Sequence, residues 1–347
     1  MNVIHSLESS FFYFRYGLFI AATVFLIQKI PNFIRFFGYA LISTFIYCLI
    51  DGYYQFFFGT NLIGYSSLEE SRLLLPLDDR LILGGLLARL FPLIIGMFVL
   101  LYGNRKFNYL YVGILLITTD VLIFLTGERT AFGLLIISTL FILFFISKFR
   151  LMRIITFIIS ILLVIYFSFT NEQVIERNFN QTITQLGLDS ESEKINILSP
   201  QHENMFISAY KIFKERPIFG SGPDSFKILC GEERFDPNPM SCSTHPHNTY
   251  IQILTEIGLI GFSMFIFFVG WILFNVTLFI YKLFVLGHRS IDDYSLCLYA
   301  CIILSIFPLL PTQDFFNNWI SIIYYLPIGF LIHTLLFNKD DQNEMAN

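Results

Sequence analysis

Long apolar runs alternate with polar connections along almost the whole of this 347-residue chain. The runs fall at 11–30, 36–50, 81–102, 108–126, 130–147, 151–169, 249–281, 295–311 and 316–337. Each approaches the roughly 20 residues that cross a bilayer, and in lipid such a run must be helical because no water is there to satisfy its backbone. The pattern predicts an all-α, polytopic transmembrane helix bundle of about nine spans. Arg15 interrupts the first run, and 249–281 is long enough for a tilted helix or one that leaves the membrane. The chain then divides into N-terminal spans (1–170), a large polar loop (171–248), C-terminal spans (249–337) and a short tail (338–347).

Inside the loop, Val174, Ile175, Phe179, Ile183 and Leu186 recur at helical spacing, which predicts an amphipathic helix over 172–186. The Ser/Glu-rich stretch 187–200 reads as a connector. A second stripe, Met205, Phe206, Ala209, Tyr210 and Phe213, predicts a helix from Glu203 to Arg216, stopped by Pro217. After it comes Gly220-Ser-Gly222-Pro, a turn whose glycines let backbone amides approach a partner closely.

Composition agrees with a membrane protein: 55% of residues are hydrophobic, 42 are Phe, only 14% are charged and mean hydropathy is +0.66. The start of the chain lacks the basic region and small-residue cleavage site of a secretory signal, so the first run is expected to be retained. Lys and Arg concentrate on the cytoplasmic side of such proteins. Under nine spans Lys29, Arg35, Arg105, Lys106, Lys148, Arg150, Arg153, Lys282, Arg289 and Lys339 share one side, which places the C-terminus in the cytoplasm. The acid-rich 51–80 (Asp51, Glu69, Glu70, Asp78, Asp79) and the large loop fall on the other. The net charge of −4, with no basic patch, argues against a nucleic-acid partner.

Cys48, Cys297 and Cys301 lie in apolar runs, as small buried side chains do. Cys230 and Cys242 share the large loop, where an oxidising compartment permits a disulfide between them. No cysteine or histidine pair has metal-ligand spacing, so no metal and no cofactor is expected. The residues richest in chemistry are His245-Pro-His247-Asn248, where the loop enters the apolar run at 249. An imidazole there is available in its neutral form near pH 7; it could equally be a cap or a hydrogen-bonded surface residue. Two charges fall inside apolar runs, Arg89 and Asp120; each is costly in lipid unless it faces a cavity or a partner, and the two could pair.

His247-Asn248, nine residues, then Gly258-Leu-Ile-Gly261 resembles the signature of the O-antigen ligase and O-antigen polymerase family of bacterial membrane proteins. Gly127-Glu-Arg129-Thr-Ala131 and Arg216-Pro-Ile-Phe-Gly220-Ser-Gly222 are similar to that family's arginine-bearing segments, and Asp51-Gly-Tyr-Tyr-Gln55, Asn61-Leu-Ile-Gly64 and Leu87-Ala-Arg89-Leu-Phe-Pro92 fit its N-terminal half. The resemblance covers roughly 40–335. Family members commonly have more spans, and Phe262 and Ser263 stand where the fuller ligase signature continues with small hydroxyl residues, which tilts the resemblance toward polymerase.

The resemblance implies a multi-pass inner-membrane glycosyltransferase with a GT-C-like architecture, whose large loop is periplasmic. It would take a glycan from an undecaprenyl-pyrophosphate carrier and join it to an acceptor glycolipid, either a carrier-linked repeat unit (polymerase) or lipid A–core (ligase). A chain-length regulator is a further implied partner. In this reading His247 accepts the acceptor's proton or orients it. Arg129 and Arg216 offer paired donors to the departing pyrophosphate, and Asn248, His245, Arg89, Gly220 and Gly222 help bind substrate. Other readings stay open: Arg216 as a cation at a helix C-terminus, Arg129 as a snorkelling residue, and Arg89 with Asp120 as marks of a glycan flippase or another transporter.

Overall fold

The computed structural model describes residues 11–67, 72–76, 80–102, 106–188, 199–235 and 241–344. Glu69, Glu70, Asp78, Asp79, Arg105 and most of the connector 187–200 lie outside the described residues. In chain order the helices are α1 (Arg15–Lys29), α2 (Phe33–Phe58), α3 (Leu83–Tyr102), α4 (Lys106–Leu125), α5 (Arg129–Phe145) and α6 (Arg150–Thr170). They are followed by α7 (Glu172–Ile175), α8 (Gln181–Gln185), α9 (Pro200–Glu215), α10 (Phe226–Leu229), α11 (Thr249–Phe284), α12 (Asp293–Ser305) and α13 (Asn318–Glu344). No strand forms among the described residues, apart from a single bridge between Thr60 and Ser66.

Among the described residues six helices are long and apolar enough to cross a membrane: α1 counted from Phe11, α2, α3, α6, α11 and α13. Three of the nine apolar runs become shorter apolar helices, Tyr109–Leu125, Arg129–Phe145 and Asp293–Ser305. Turns explain the shortening: Thr126-Gly127-Glu128 leaves the helical path before α5, and in the run at 295–311 the helix ends at Ser305, ahead of Pro308 and Pro311.

The chain forms two compact units. One comprises Met1–Val24, Ile183–Ser290 and Ser305–Phe330; the other comprises Phe25–Thr182, Ile291–Leu304 and Leu331–Asn347.

In the second unit α3 is apolar on nearly every face, so it can only be stable when surrounded. It packs on α2, α4 and α5, and from Leu83 to Val99 almost every residue is buried. α4 packs against α6, and across that contact Arg153 grips Asp120 with both guanidinium nitrogens, Nη1 to Oδ2 at 2.6 Å and Nη2 to Oδ1 at 3.0 Å. Ser160 adds a donor to Asp120 at 2.8 Å, Thr139 accepts from Arg153, and the Phe91 and Phe157 rings flank the guanidinium. The sequence places Arg153 in a basic connection and offers Arg89 as a mate for Asp120. The structure corrects both: Arg153 lies in the first turn of α6, fully buried and directly opposite Asp120.

The segment 172–185 is not one amphipathic helix. α7 gives way to a π-helical turn at Glu176–Asn180 and then to α8, and only Val174 is buried, among Val121, Phe124 and Leu125. Phe179 and Ile183, expected on the same apolar face, are exposed.

In the first unit α9 starts where Ser199 caps it and Pro200 occupies its first turn, three residues earlier than the sequence suggests. It packs on α10 and α11. Its buried face is Met205, Ser208, Ala209 and Ile212, which leaves Tyr210, counted in the expected stripe, exposed. Phe226, Leu229, Cys230 and Phe235 complete this core, and a disulfide joins Cys230 to Cys242 with the Cα atoms 4.9 Å apart. In the same unit Arg15 bonds to Asn318 and Tyr16 donates to the Asn318 carbonyl at 3.1 Å, so the charge that interrupts the first apolar run is used.

Candidate functional site

α11 is 36 residues long, about 54 Å at 1.5 Å per residue, well beyond a hydrocarbon core of roughly 30 Å. The backbone breaks at Gly258 (φ 71°, ψ −169°), which separates a short first segment from a second of ordinary span length. Such a break strands carbonyls before it and amides after it. The loop that precedes the disulfide satisfies both: the amides of Ser221 and Gly222 donate to the Thr255 and Glu256 carbonyls at 3.1 and 2.8 Å, while those of Leu259 and Ile260 donate to the Pro217 and Ile218 carbonyls at 2.8 and 3.3 Å. A four-bond splice therefore holds the Gly220-x-Gly222 turn against the helix break.

Glu256, buried in the short segment, extends the splice. Its carboxylate accepts from the Phe226 and Asp224 amides at 2.8 and 3.0 Å, and so anchors the turn rather than reaching the histidine loop. Gly220 and Gly222 are consumed in this joint, where they were expected to meet substrate.

The histidine loop is pinned just before the same helix. Asn248 caps α11, its Oδ1 accepting from the Tyr250 and Ile251 amides at 3.0 and 3.2 Å and its amide donating to the Pro308 carbonyl at 3.0 Å. Thr312 secures the other side, its amide donating to the His247 carbonyl at 2.8 Å and its hydroxyl accepting from Thr249 at 2.9 Å. Gln252 links this region onward, donating to Asp314 at 2.6 Å and accepting from the Phe315 amide at 2.9 Å. His247 itself takes a left-handed backbone (φ 53°), uncommon for a residue with a Cβ and held here by bonds on both sides.

Three imidazoles gather there. The His245 and His247 rings are 4.1 Å apart, and His202, from the first turn of α9, sets its ring edgewise to His247 at 5.5 Å. His245 Nε2 lies 3.0 Å from the Thr312 carbonyl, an acceptor only, so that nitrogen carries the proton and Nδ1 accepts from Thr244 at 2.9 Å. Both of its nitrogens are thus committed to the fold, and the buried His245 is a wall for its neighbour. His247 Nε2 faces the Ser243 hydroxyl at 3.3 Å, and His202 Nδ1 faces Ser199 at 2.6 Å. Burial, then the neighbouring rings of His245 and His202, push His247 down to about 3. Burial also lowers His245, against the pull of Asp314. His247 is a neutral imidazole at neutral pH. Among the described residues no group of three or more His, Cys, Asp or Glu is arranged to hold a metal ion.

Arg216 follows α9 in the same unit, exposed, its carbonyl accepting from the Gly220 amide at 2.9 Å. Arg129 and Arg89 belong to the second unit. Arg129 opens α5, half-buried, and donates to Thr182 at 3.0 Å, with the guanidiniums of Arg177 and Arg72 close enough to act on it electrostatically. Beside it Glu128 accepts from the Gly84 and Gly85 amides at 2.7 and 3.0 Å, at the N-terminus of α3. Burial pushes Glu128 up to about 7, although Arg72, the two amides and Arg89 all favour its charged form. Arg89 is buried, bonded back to the Gly85 carbonyl at 3.0 Å. Sequence reasoning did not anticipate His202, Ser243 or Thr312 beside His247, nor Arg72 and Arg177 beside Arg129. The Ser199-Pro200 cap signature places His202 at a helix start, but nothing local ties it to a residue 45 positions later.

No curated protein matches the chain. Residues 112–266, which carry Arg129, Arg216, the paired glycines and the His247-to-Gly258 stretch, match the family model described as O-antigen ligase. With its apolar helices, the chain has the character of a multi-pass membrane protein, and its residues 112–266 are similar to the O-antigen ligase family.

Proposed function

We propose that this protein is a glycosyltransferase of the inner membrane that moves a glycan from an undecaprenyl-pyrophosphate carrier to an acceptor sugar hydroxyl, with the large loop and the reaction on the periplasmic face and the C-terminus in the cytoplasm. The observation that carries the reading is His247: a neutral imidazole on an over-determined loop, with Nε2 turned toward a hydroxyl, that of Ser243. An acceptor hydroxyl in the place of Ser243 would give its proton to Nε2 as its oxygen attacks the anomeric carbon. The bond to the carrier then breaks, and its electron pair leaves on the pyrophosphate. A base held down near 3 is weak, and an anionic pyrophosphate nearby would raise it toward the useful range.

Arg216 and Arg129 stabilise the charge that grows on the leaving group, and no metal is needed for this. His245 and Asn248 position His247, through the bonds described above, in place of touching substrate. Arg89 acts through Glu128, since it is buried against its own helix. The pairing of Asp120 with Arg153 gives a structural role to one of the two intramembrane charges that the transporter alternative took as marks of a path.

Polymerase stands slightly ahead of ligase, with a carrier-linked repeat unit as acceptor and a chain-length regulator as partner. The test is analysis of envelope glycolipids from a deletion strain complemented with wild type or His247→Ala at matched membrane levels. Single-repeat products on lipid A–core in the mutant mean polymerase; carrier-linked polymer that never reaches the core means ligase. A wild-type pattern from His247→Ala would overturn the assignment.

A further inference from the structure

The second unit contains a cavity of about 230 Å³ that the chemistry above does not use. At roughly 30 Å³ per water it has room for about seven waters, comparable to one hexose ring. It lies beside the end of α2, lined by Ser67, Arg72 and Leu73 and by the start of the polar segment that follows α6.

Its walls are built from amides. Gln55, Asn171, Gln173 and Asn178 line it with Arg72 and Phe56, and among the described residues that line it none is acidic. Side-chain amides present donors and acceptors together, the match for vicinal hydroxyls, which also do both. The floor is apolar, with Leu73, Leu125 and Val174 buried below, and the Phe56 ring stands at the side, suited to the C–H face of a sugar. Gln55 is rigid and shapes the wall without offering donors: it is buried, and its amide donates to Asp51 at 2.6 Å and to the Leu74 carbonyl at 3.0 Å and accepts from the Leu74 amide at 2.8 Å. Asn178 sits on the π-helical turn at Glu176–Asn180, and its side-chain amide donates to the Phe124 carbonyl at a long 3.4 Å. A π turn re-aims side chains out of helical register, and such turns recur at functional positions. Here it turns Asn178 to the cavity, and the break in the expected amphipathic helix acquires a purpose.

We infer that this cavity is a saccharide subsite that holds one hydroxyl- or acetamido-bearing sugar ring of the glycan. The inference rests on the glycosyl-transfer reading for the identity of the ligand, and its test is kept separate from turnover.

The free cysteines Cys48, Cys297 and Cys301 are buried and Cys230 and Cys242 are bonded to each other, so a cysteine placed in the cavity is the accessible thiol among them. The experiment labels Asn178→Cys, in the full chain reconstituted in nanodiscs, with a charged maleimide. The probe is the repeat-unit oligosaccharide released by mild acid from the host's own surface polysaccharide, with dextran of equal size as control. At ten times its Kd the oligosaccharide leaves about one-tenth of the sites open, so labelling slows roughly tenfold, and it does so equally in an Asn178→Cys/His247→Ala double variant. Unchanged labelling, or equal slowing by dextran, overturns the subsite. If Asn178→Cys does not fold, Gln173→Cys is read in the same way. Glycan transfer by the wild-type nanodiscs is measured alongside. Protection without transfer sinks the enzymatic reading and keeps the subsite, whereas transfer without protection does the reverse.

Discussion

Gly220 and Gly258 meet backbone to backbone. A Cβ built on Gly220 would lie 2.6 Å from the Gly258 nitrogen, and one on Gly258 would lie 2.4 Å from the Gly220 nitrogen; both residues have positive φ. Two glycines that look like separate motif elements in the sequence are therefore the two halves of one joint. Because the obstacle on each side is backbone, neither can yield by a rotamer change.

Gly258→Ala and Gly220→Ala are each expected to cost roughly 3 kcal/mol or more, from left-handed backbone strain together with the forced shift. Gly270→Ala, further along α11 with nothing within 4 Å of the new methyl, is the control. Thermal unfolding of the purified protein should show a large fall in Tm for the first two and none for the third. Equal Tm values for all three would remove the joint.

The buried Arg153–Asp120 pair predicts an asymmetry. Breaking it from one side, by Arg153→Met, leaves an uncompensated charge and should cost roughly 3–5 kcal/mol, whereas Arg153→Met with Asp120→Leu should recover most of that loss. The readout is a double-mutant cycle on unfolding midpoints. Additive losses would mean that the two side chains do not depend on each other.

The disulfide closes a loop with a sequence separation of 12. By loop entropy it contributes about 3 kcal/mol, so Cys230→Ser with Cys242→Ser should lower Tm, and mild reduction of the wild type should lower it equally. A reductant that further destabilises the double variant would point to a different target.

Acid should find the histidine loop. His247 is held at about 3, far below the usual 6.5 of the unfolded chain. Between those values the unfolded state binds the extra proton, so stability is full above pH 6.5 and drains away as pH falls toward 3. His247→Gln should flatten this part of the pH–Tm curve, and an unchanged slope would mean that the imidazole is not the group responsible.

These features differ in how far they can be read from residues. The nine apolar runs and their helical state follow from the bilayer alone, yet whether Thr126-Gly127-Glu128 ends a helix early depends on packing, and so three runs shorten. The motif His247, Asn248 and Gly258 was visible because its residues are local. Arg153 looked like a topology signal because charge near a helix end is usually solvated; its partner lies 33 positions away. His202 and the Gly220–Gly258 joint were hidden for the same reason, since sequence separation conceals a contact made by tertiary folding. The π turn at 176–180 was missed because helical spacing of apolar residues does not report register within the helix.

The most direct test of the central claim is the rate of glycan transfer from a polyprenyl-pyrophosphate donor in proteoliposomes, comparing wild type with His247→Ala at equal protein and equal Tm. Loss of a general base predicts a fall of roughly 10²–10⁴-fold with donor binding retained. Transfer within about twofold of wild type, too little to represent a lost proton acceptor, would contradict the role assigned to His247.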